Sequence, residues 1–124
     1  MNLNQVTLPV SDVQRSISYF ESLGLRLIVK ALPHYARFEC PDGDATFSLH
    51  LEEHFSTGNG TWIYFEVADV DSTVAKLREK EIAIEQMPEN KPWLWREARL
   101  KDPDGNLLII YHAGKNRKEP PWRI

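Results

Sequence analysis

The sequence predicts an α+β fold made of two copies of one βαβββ module, and three observations predict it. Val10-Ser11-Asp12-Val13 follows a short apolar strand and opens a helix-like stretch, and Val67-Ala68-Asp69-Val70 does the same in the second half. Pro41-Asp42-Gly43 and Pro103-Asp104-Gly105 each lead into a strand-like run, Phe47 to Leu51 and Leu107 to Tyr111. Between these landmarks the apolar residues change period in step, from two for strands to 3.6 for helices. Two copies of one unit place a ligand site in the groove where the copies face each other.

Each element has its own signal. From Leu3 to Val10, Val6, Leu8 and Val10 alternate with Gln5, Thr7 and Pro9, as on a half-buried strand. Ser11 or Asp12 can cap the helix that follows, and Ser11 with Gln14 has capping-box spacing. Val13, Ile17 and Phe20 form its apolar stripe, and Gly24 marks its end. Leu25 to Ala31, Tyr35 to Cys40 and Ala45 to Glu52 read as strands, with Pro41 to Asp44 as the turn before the last. A polar link, His54 to Gly60, precedes the second copy. There Trp62 to Val67 alternates, and Val70, Val74 and Leu77 make the helical stripe. Ile82 to Met87 reads as a short strand, Pro88 to Pro92 as a loop, Leu94 to Lys101 and Leu107 to His112 as strands. Module one spans about 3–53 and module two about 61–113 of a single 1–124 domain. Residues 114–124, basic and then proline-rich, read as an extended arm that Trp122 anchors.

Composition narrows the function. A chain of 124 residues with 42% hydrophobic residues is the size of one domain with one packed core. A formal net charge of −3 gives no basic field for a phosphate backbone, which argues against nucleic acid as a partner. The apolar runs fall far short of the ~20 residues that cross a bilayer, which argues against a membrane role. Met1-Asn2-Leu3-Asn4-Gln5 lacks the basic and apolar regions of a secretory signal. The single cysteine, Cys40, has no partner in the chain for a disulfide, as expected of a cytoplasmic protein with a spectator thiol.

Three stretches carry a resemblance. They are Gln5-Val6-Thr7-Leu8-Pro9-Val10-Ser11-Asp12 with Leu23-Gly24-Leu25; Ile63-Tyr64-Phe65-Glu66-Val67-Ala68-Asp69-Val70-Asp71; and Pro92-Trp93-Leu94-Trp95-Arg96-Glu97 running into Asp102-Pro103-Asp104-Gly105-Asn106. In order and spacing the chain resembles the vicinal oxygen chelate superfamily, which includes glyoxalase I, extradiol dioxygenases and bleomycin-resistance proteins. The resemblance implies curved mixed sheets around a shared cleft, helices on the outer faces and a homodimer. Alternation then assigns Val6, Leu8, Val10, Ile63, Phe65, Val67, Leu108 and Ile110 to the helix side. Gln5, Thr7, Trp62, Tyr64, Glu66, Leu107, Ile109 and Tyr111 fall on the cleft side. Ser48, His50 and Glu52 join the cleft side if the register after Gly43 holds, since a one-residue slip reverses it.

The resemblance also locates where relatives hold a divalent metal: the equivalents of Gln5, Ser48, Trp62 and Ile109. A catalytic divalent site needs at least three good N, O or S donors. Indole and alkyl groups supply none, and Ser48 is a poor ligand, so no metal and no cofactor is expected. His50, Glu52 and His54 share strand spacing, but histidines at i and i+4 on a strand stand ~13 Å apart along the backbone.

What remains is an aromatic surface with polar groups. Trp62, Tyr64, Tyr111, Trp93 and Trp95 suit flat, conjugated or cationic ligands. Gln5, Thr7, Ser48, His50, Glu66 and Arg99 can orient one, with Ile109 as apolar wall. The expected function is therefore metal-free binding of a small, planar or aromatic molecule. The alternatives are a lyase, isomerase or dioxygenase with a noncanonical metal set or an acid/base pair built on Gln5, His50 and Glu66, and a structural or regulatory module whose cleft is filled core.

Overall fold

In the computed structural model, which describes residues 1–54 and 60–124, Asp12 and Asp69 start the two helices in the same way. Each has extended backbone angles, and its carboxylate accepts a hydrogen bond at 3.0 Å from the backbone N–H of Arg15 or Ser72. That satisfies one of the donors left without a partner at a helix start. The helices are α1, Val13–Ser22, and α2, Val70–Glu79. Asp12, not Ser11, is the cap of α1. The Ser11 hydroxyl instead accepts from Arg15 Nη2 at 3.0 Å.

The helices also end alike. After α1, the N–H of Gly24 donates to Glu21 O at 2.9 Å and that of Leu25 to Phe20 O at 3.2 Å. After α2, Glu81 donates to Arg78 O at 2.9 Å and Ile82 to Leu77 O at 3.1 Å. Both ends are Schellman motifs, which need a left-handed residue. Gly24 supplies it at φ 101°, whereas Glu81 adopts φ 63° against its own side-chain preference. In both copies the next residue, Leu25 or Ile82, is buried.

Around the helices run eight strands: β1 Gln5–Val10, β2 Arg26–Ala31, β3 Tyr35–Glu39, β4 Thr46–Leu51, β5 Trp62–Glu66, β6 Gln86–Asn90, β7 Arg96–Lys101 and β8 Leu107–His112. They form two four-stranded sheets, ordered β1-β4-β3-β2 and β5-β8-β7-β6. The first two strands of each order pair in parallel, and the other neighbours pair antiparallel. The predicted βαβββ order, twice, is the observed one. The chain divides into two compact units, Met1–Asn59 and Gly60–Ile124. The link read from His54 to Gly60 falls mainly on residues 55–59, which lie outside the described residues.

Each unit has its core between helix and sheet. In the first, α1 packs on β2, β3 and β4, and Leu8, Val10, Ile17, Phe20, Phe38, Phe47 and Leu49 are buried. In the second, α2 packs on β6, β7 and β8, over Ile63, Val74, Leu77, Ala98, Leu100, Leu108 and Ile110. The turn before β8 is tied from within. The buried Asp102 carboxylate accepts from the N–H groups of Asp104 and Asn106 at 3.0 and 2.7 Å, and from Asn106 Nδ2 at 2.9 Å. Burial nonetheless pushes its carboxyl above the ordinary range, outweighing those bonds.

Two expectations are corrected. The strand read at Ile82 to Met87 lies at Gln86–Asn90, across the segment read as a loop. Pro88 is tolerated because β6 is an edge strand, and its pairing with β7 shifts register between Gln86 and Glu89. The apolar Ile82 belongs to the helix end instead. The arm after Ala113 begins as a 3-10 turn, Gly114–Arg117, not as extended chain. No described helix is long and apolar enough to cross a membrane. Cys40 is a half-buried free thiol, pushed up in pKa by burial and so weakly nucleophilic.

Candidate functional site

On the first unit the sheet face away from α1 is polar. Parallel pairing sets Gln5 opposite Thr46, Thr7 opposite Ser48 and Pro9 opposite His50. Ser48 and His50 therefore do share a face with Gln5 and Thr7, as the register after Gly43 predicted. Antiparallel pairing adds Tyr35 opposite His50 and Arg37 opposite Ser48. Ser48 is fully buried and sits at the centre of a chain of hydrogen bonds. Gln5 Nε2 donates to its hydroxyl, Thr46 donates to Gln5 Oε1, and the Tyr35 hydroxyl meets Ser48 Oγ at 2.7 Å. Arg37 Nε donates to the Tyr35 oxygen at 2.9 Å. Burial pushes the Tyr35 phenol up, but its bonds to Ser48 and Arg37 and the guanidinium charge bring it below the ordinary value. His50 and Thr7 are exposed, and Glu52 lies beyond β4.

On the second unit the corresponding face is aromatic. The register sets Trp62 opposite Leu107, Tyr64 opposite Ile109 and Glu66 opposite Tyr111, with Arg99 beside Ile109 and Glu97 beside Tyr111. Trp95 stacks on Tyr111 at 4.8 Å and 27°. Tyr64 meets both edge-on, at 6.0 and 5.5 Å. Ile109 is fully buried, in a cluster with Tyr111 and Ala113 that Trp95 and Leu107 join. Trp62 is 53% exposed, with the Arg99 guanidinium 5.6 Å from its ring centre. Burial and the Glu97 charge hold the Tyr64 phenol above the ordinary value. Burial and Glu66 do the same to Tyr111.

Glu66 has structural work. Its Oε1 accepts from the N–H groups of Ala113 and Gly114 at 3.1 and 3.0 Å, and Arg117 Nε lies 3.4 Å from Oε2. The carboxylate thus clamps the 3-10 turn to β5. Burial pushes its pKa up, but the two N–H donors, Arg117 and His112 outweigh that and hold it below the ordinary range. A depressed pKa stabilises the fold above the unfolded-chain value of about 4.3 and loses that stabilisation as pH falls through the folded value. The expected result is constant amide-exchange protection at Ala113 and Gly114 above about pH 4.3, falling on further acidification. Protection that ignores pH, or that survives Glu66→Ala, contradicts the clamp.

The positions where the resemblance places a metal can now be tested against the side chains present. The Gln5 amide oxygen already accepts from Thr46, and the Ser48 hydroxyl is shared with Gln5 and Tyr35. Trp62 offers an indole, and Ile109 a fully buried alkyl group. This set does not fit a divalent ion. Among the described residues, no three His, Cys, Asp or Glu side chains converge as ligands elsewhere.

Sequence reasoning missed Tyr35 and Arg37 on the first unit and Glu97 and Gln86 on the second. Strand parity was the available signal for Glu97, which alternates with Trp95 and Arg99. Trp93, on the turn between β6 and β7, reaches Glu97: its indole Nε1 donates to Glu97 Oε1 at 2.7 Å.

Known proteins show the same architecture. The sequence profile of the Glyoxalase/Bleomycin resistance protein/Dioxygenase superfamily matches residues 2–110. Uncharacterized protein YraH of Bacillus subtilis (strain 168) is 32% identical over 127 residues, covering 90% of this chain and 98% of that protein. Among solved structures, a bleomycin-binding protein complexed with bleomycin superposes with TM-score 0.76 at 17% identity, covering 90% of this chain and 98% of that one. Lactoylglutathione lyase from Agrobacterium tumefaciens superposes with TM-score 0.74 at 19% identity, covering 90% and 92%. At these identities the two structures speak for the fold alone. With the profile match spanning nearly all of both βαβββ units, the chain belongs to the glyoxalase/bleomycin resistance protein/dioxygenase superfamily.

Proposed function

We propose that the chain binds a small planar or aromatic molecule without a metal, as a cytoplasmic homodimer. The observation that carries this reading is the face of the second unit: Tyr64, Trp95 and Tyr111 in mutual ring contact, beside a half-exposed Trp62. Such a surface favours flat ligands. On the polar face of the first unit, the exposed Thr7 and His50 are further candidates for orienting groups. The donor chemistry at Gln5, Ser48, Trp62 and Ile109 supports metal independence. One protein of this fold is a bleomycin-binding protein complexed with bleomycin. At 17% identity that likeness gives no reason to extend the same ligand to this chain. Catalysis gains no support, since the Glu66 carboxylate and the Gln5 amide are already engaged within the fold.

A titration with a panel of planar heteroaromatics checks this. Saturable quenching of tryptophan fluorescence is expected, weakening by roughly two- to tenfold in Trp62→Ala, the loss of one stacking contact of about 0.5–1.5 kcal/mol. A panel that leaves both fluorescence and melting temperature unchanged contradicts it. Pairing of two copies draws support from β2, an edge strand with Ile28 and Val29 exposed. Light scattering should return twice the chain mass; a monomer mass contradicts the pairing.

A further inference from the structure

Three hydrogen-bonding atoms of the second unit are shielded from solvent and have no hydrogen-bond partner: Glu97 Oε2, Arg99 Nε and Gln86 Nε2. They belong to neighbouring residues. Glu97 and Arg99 alternate on β7, and Gln86 on β6 is paired in register with Arg99. Glu97 is only 1% exposed. Its other oxygen is held by the Trp93 indole, while Arg99 Nη2 stands 3.8 Å from Oε2, beyond hydrogen-bond range. Gln86 is fixed at its far end, where Lys91 Nζ donates to Oε1 at 3.3 Å. Folded proteins pair the great majority of buried polar atoms. Two donors and one acceptor left over in one cluster therefore point to a partner from outside the chain.

We propose that this cluster is the recognition point of the small-molecule site and that it selects a planar cyclic amide, a ring edge with an N–H beside a C=O. The inference rests on the planar-ligand reading above and names the ligand class. Glu97 Oε2 accepts from the ring N–H. Arg99 Nε and Gln86 Nε2 donate to the adjacent carbonyl. Because the charges of Glu97 and Arg99 offset each other, the matching edge is neutral rather than cationic. The ring face is left to the aromatic side chains, of which Trp62 already lies against Arg99. Reaching shielded atoms requires a side chain to give way.

Calorimetric titration with quinazoline-2,4-dione, its 1,3-dimethyl derivative and quinoxaline tests the proposal on the full chain. The wild type is expected to take the dione about tenfold or more tighter than the dimethyl compound, the effect of one hydrogen bond to a charged group. Glu97→Gln keeps an oxygen for Trp93 and turns the Oε2 position into a donor, so that preference should disappear. Equal affinity for dione and dimethyl dione in the wild type overturns the cyclic-amide inference and leaves the planar-ligand reading standing. So does a preference that persists in a folded Glu97→Gln. Absence of binding by all three compounds overturns both. Should Glu97→Gln not fold, the Trp93 indole N–H resonance of the wild type decides. It should move on adding the dione and stay put with the dimethyl compound; the same movement with both overturns the inference.

Discussion

Replacing Phe20 by alanine lowers stability by about 3–5 kcal/mol, the range for emptying a buried aromatic site. Phe20 is fully buried. Its ring lies 4.8 Å from Phe47 and 6.1 Å from Phe38, so one side chain joins α1 to β3 and β4. Its carbonyl also closes the end of α1 through Leu25. The surrounding rings come from strands fixed by their own ladder, so the cavity has little room to collapse. Urea unfolding should show the loss as a lower midpoint with unchanged slope. A loss under about 1 kcal/mol would mean that Phe20 does not hold the helix to the sheet.

Replacing Trp95 by alanine costs about 2–4 kcal/mol, less than a full burial because the side chain is only half-buried. The stacked contact with Tyr111 and the edge-on contact with Tyr64 contribute about 0.5–1.5 kcal/mol each beyond area. Unlike Phe20→Ala, this change removes part of the proposed binding face, so affinity for planar ligands should fall together with stability. Thermal unfolding and ligand titration on the same variant separate the effects. A near-neutral change, within about 0.5 kcal/mol as for surface positions, would show that the aromatic set is not a packed unit.

The fold was legible because both copies carry the same helix starts, apolar helix stripes and strand alternation. Asp12 and Asp69 cap, the apolar stripes fix the buried helix faces, and alternation fixes the strands. Glu81 hid the second helix end, since a glycine is the usual mark of a left-handed residue and a glutamate is not. Pro88 hid β6, because proline argues against a strand unless the strand is known to be an edge, and edge position is a property of sheet order. Strand parity was legible, and with it the sharing of one sheet face by Gln5, Thr7, Ser48 and His50 and of another by Trp62, Tyr64, Ile109 and Tyr111. The hydrogen bonds on those faces were not. Whether Glu66 faces a ligand or clamps Gly114 depends on where the chain goes after β8. The role of Glu97 depends on Trp93 reaching back from a turn. Neither follows from parity on one strand.

The central claim is that the aromatic face binds a planar ligand with no metal in the site. It is tested most directly by one fluorescence titration run with and without a strong chelator, on protein whose metal content is measured. The account predicts no stoichiometric zinc, nickel, manganese or iron, and the same saturable quenching in both runs. One tightly bound ion per chain, with quenching abolished by the chelator and restored by that ion, would contradict it.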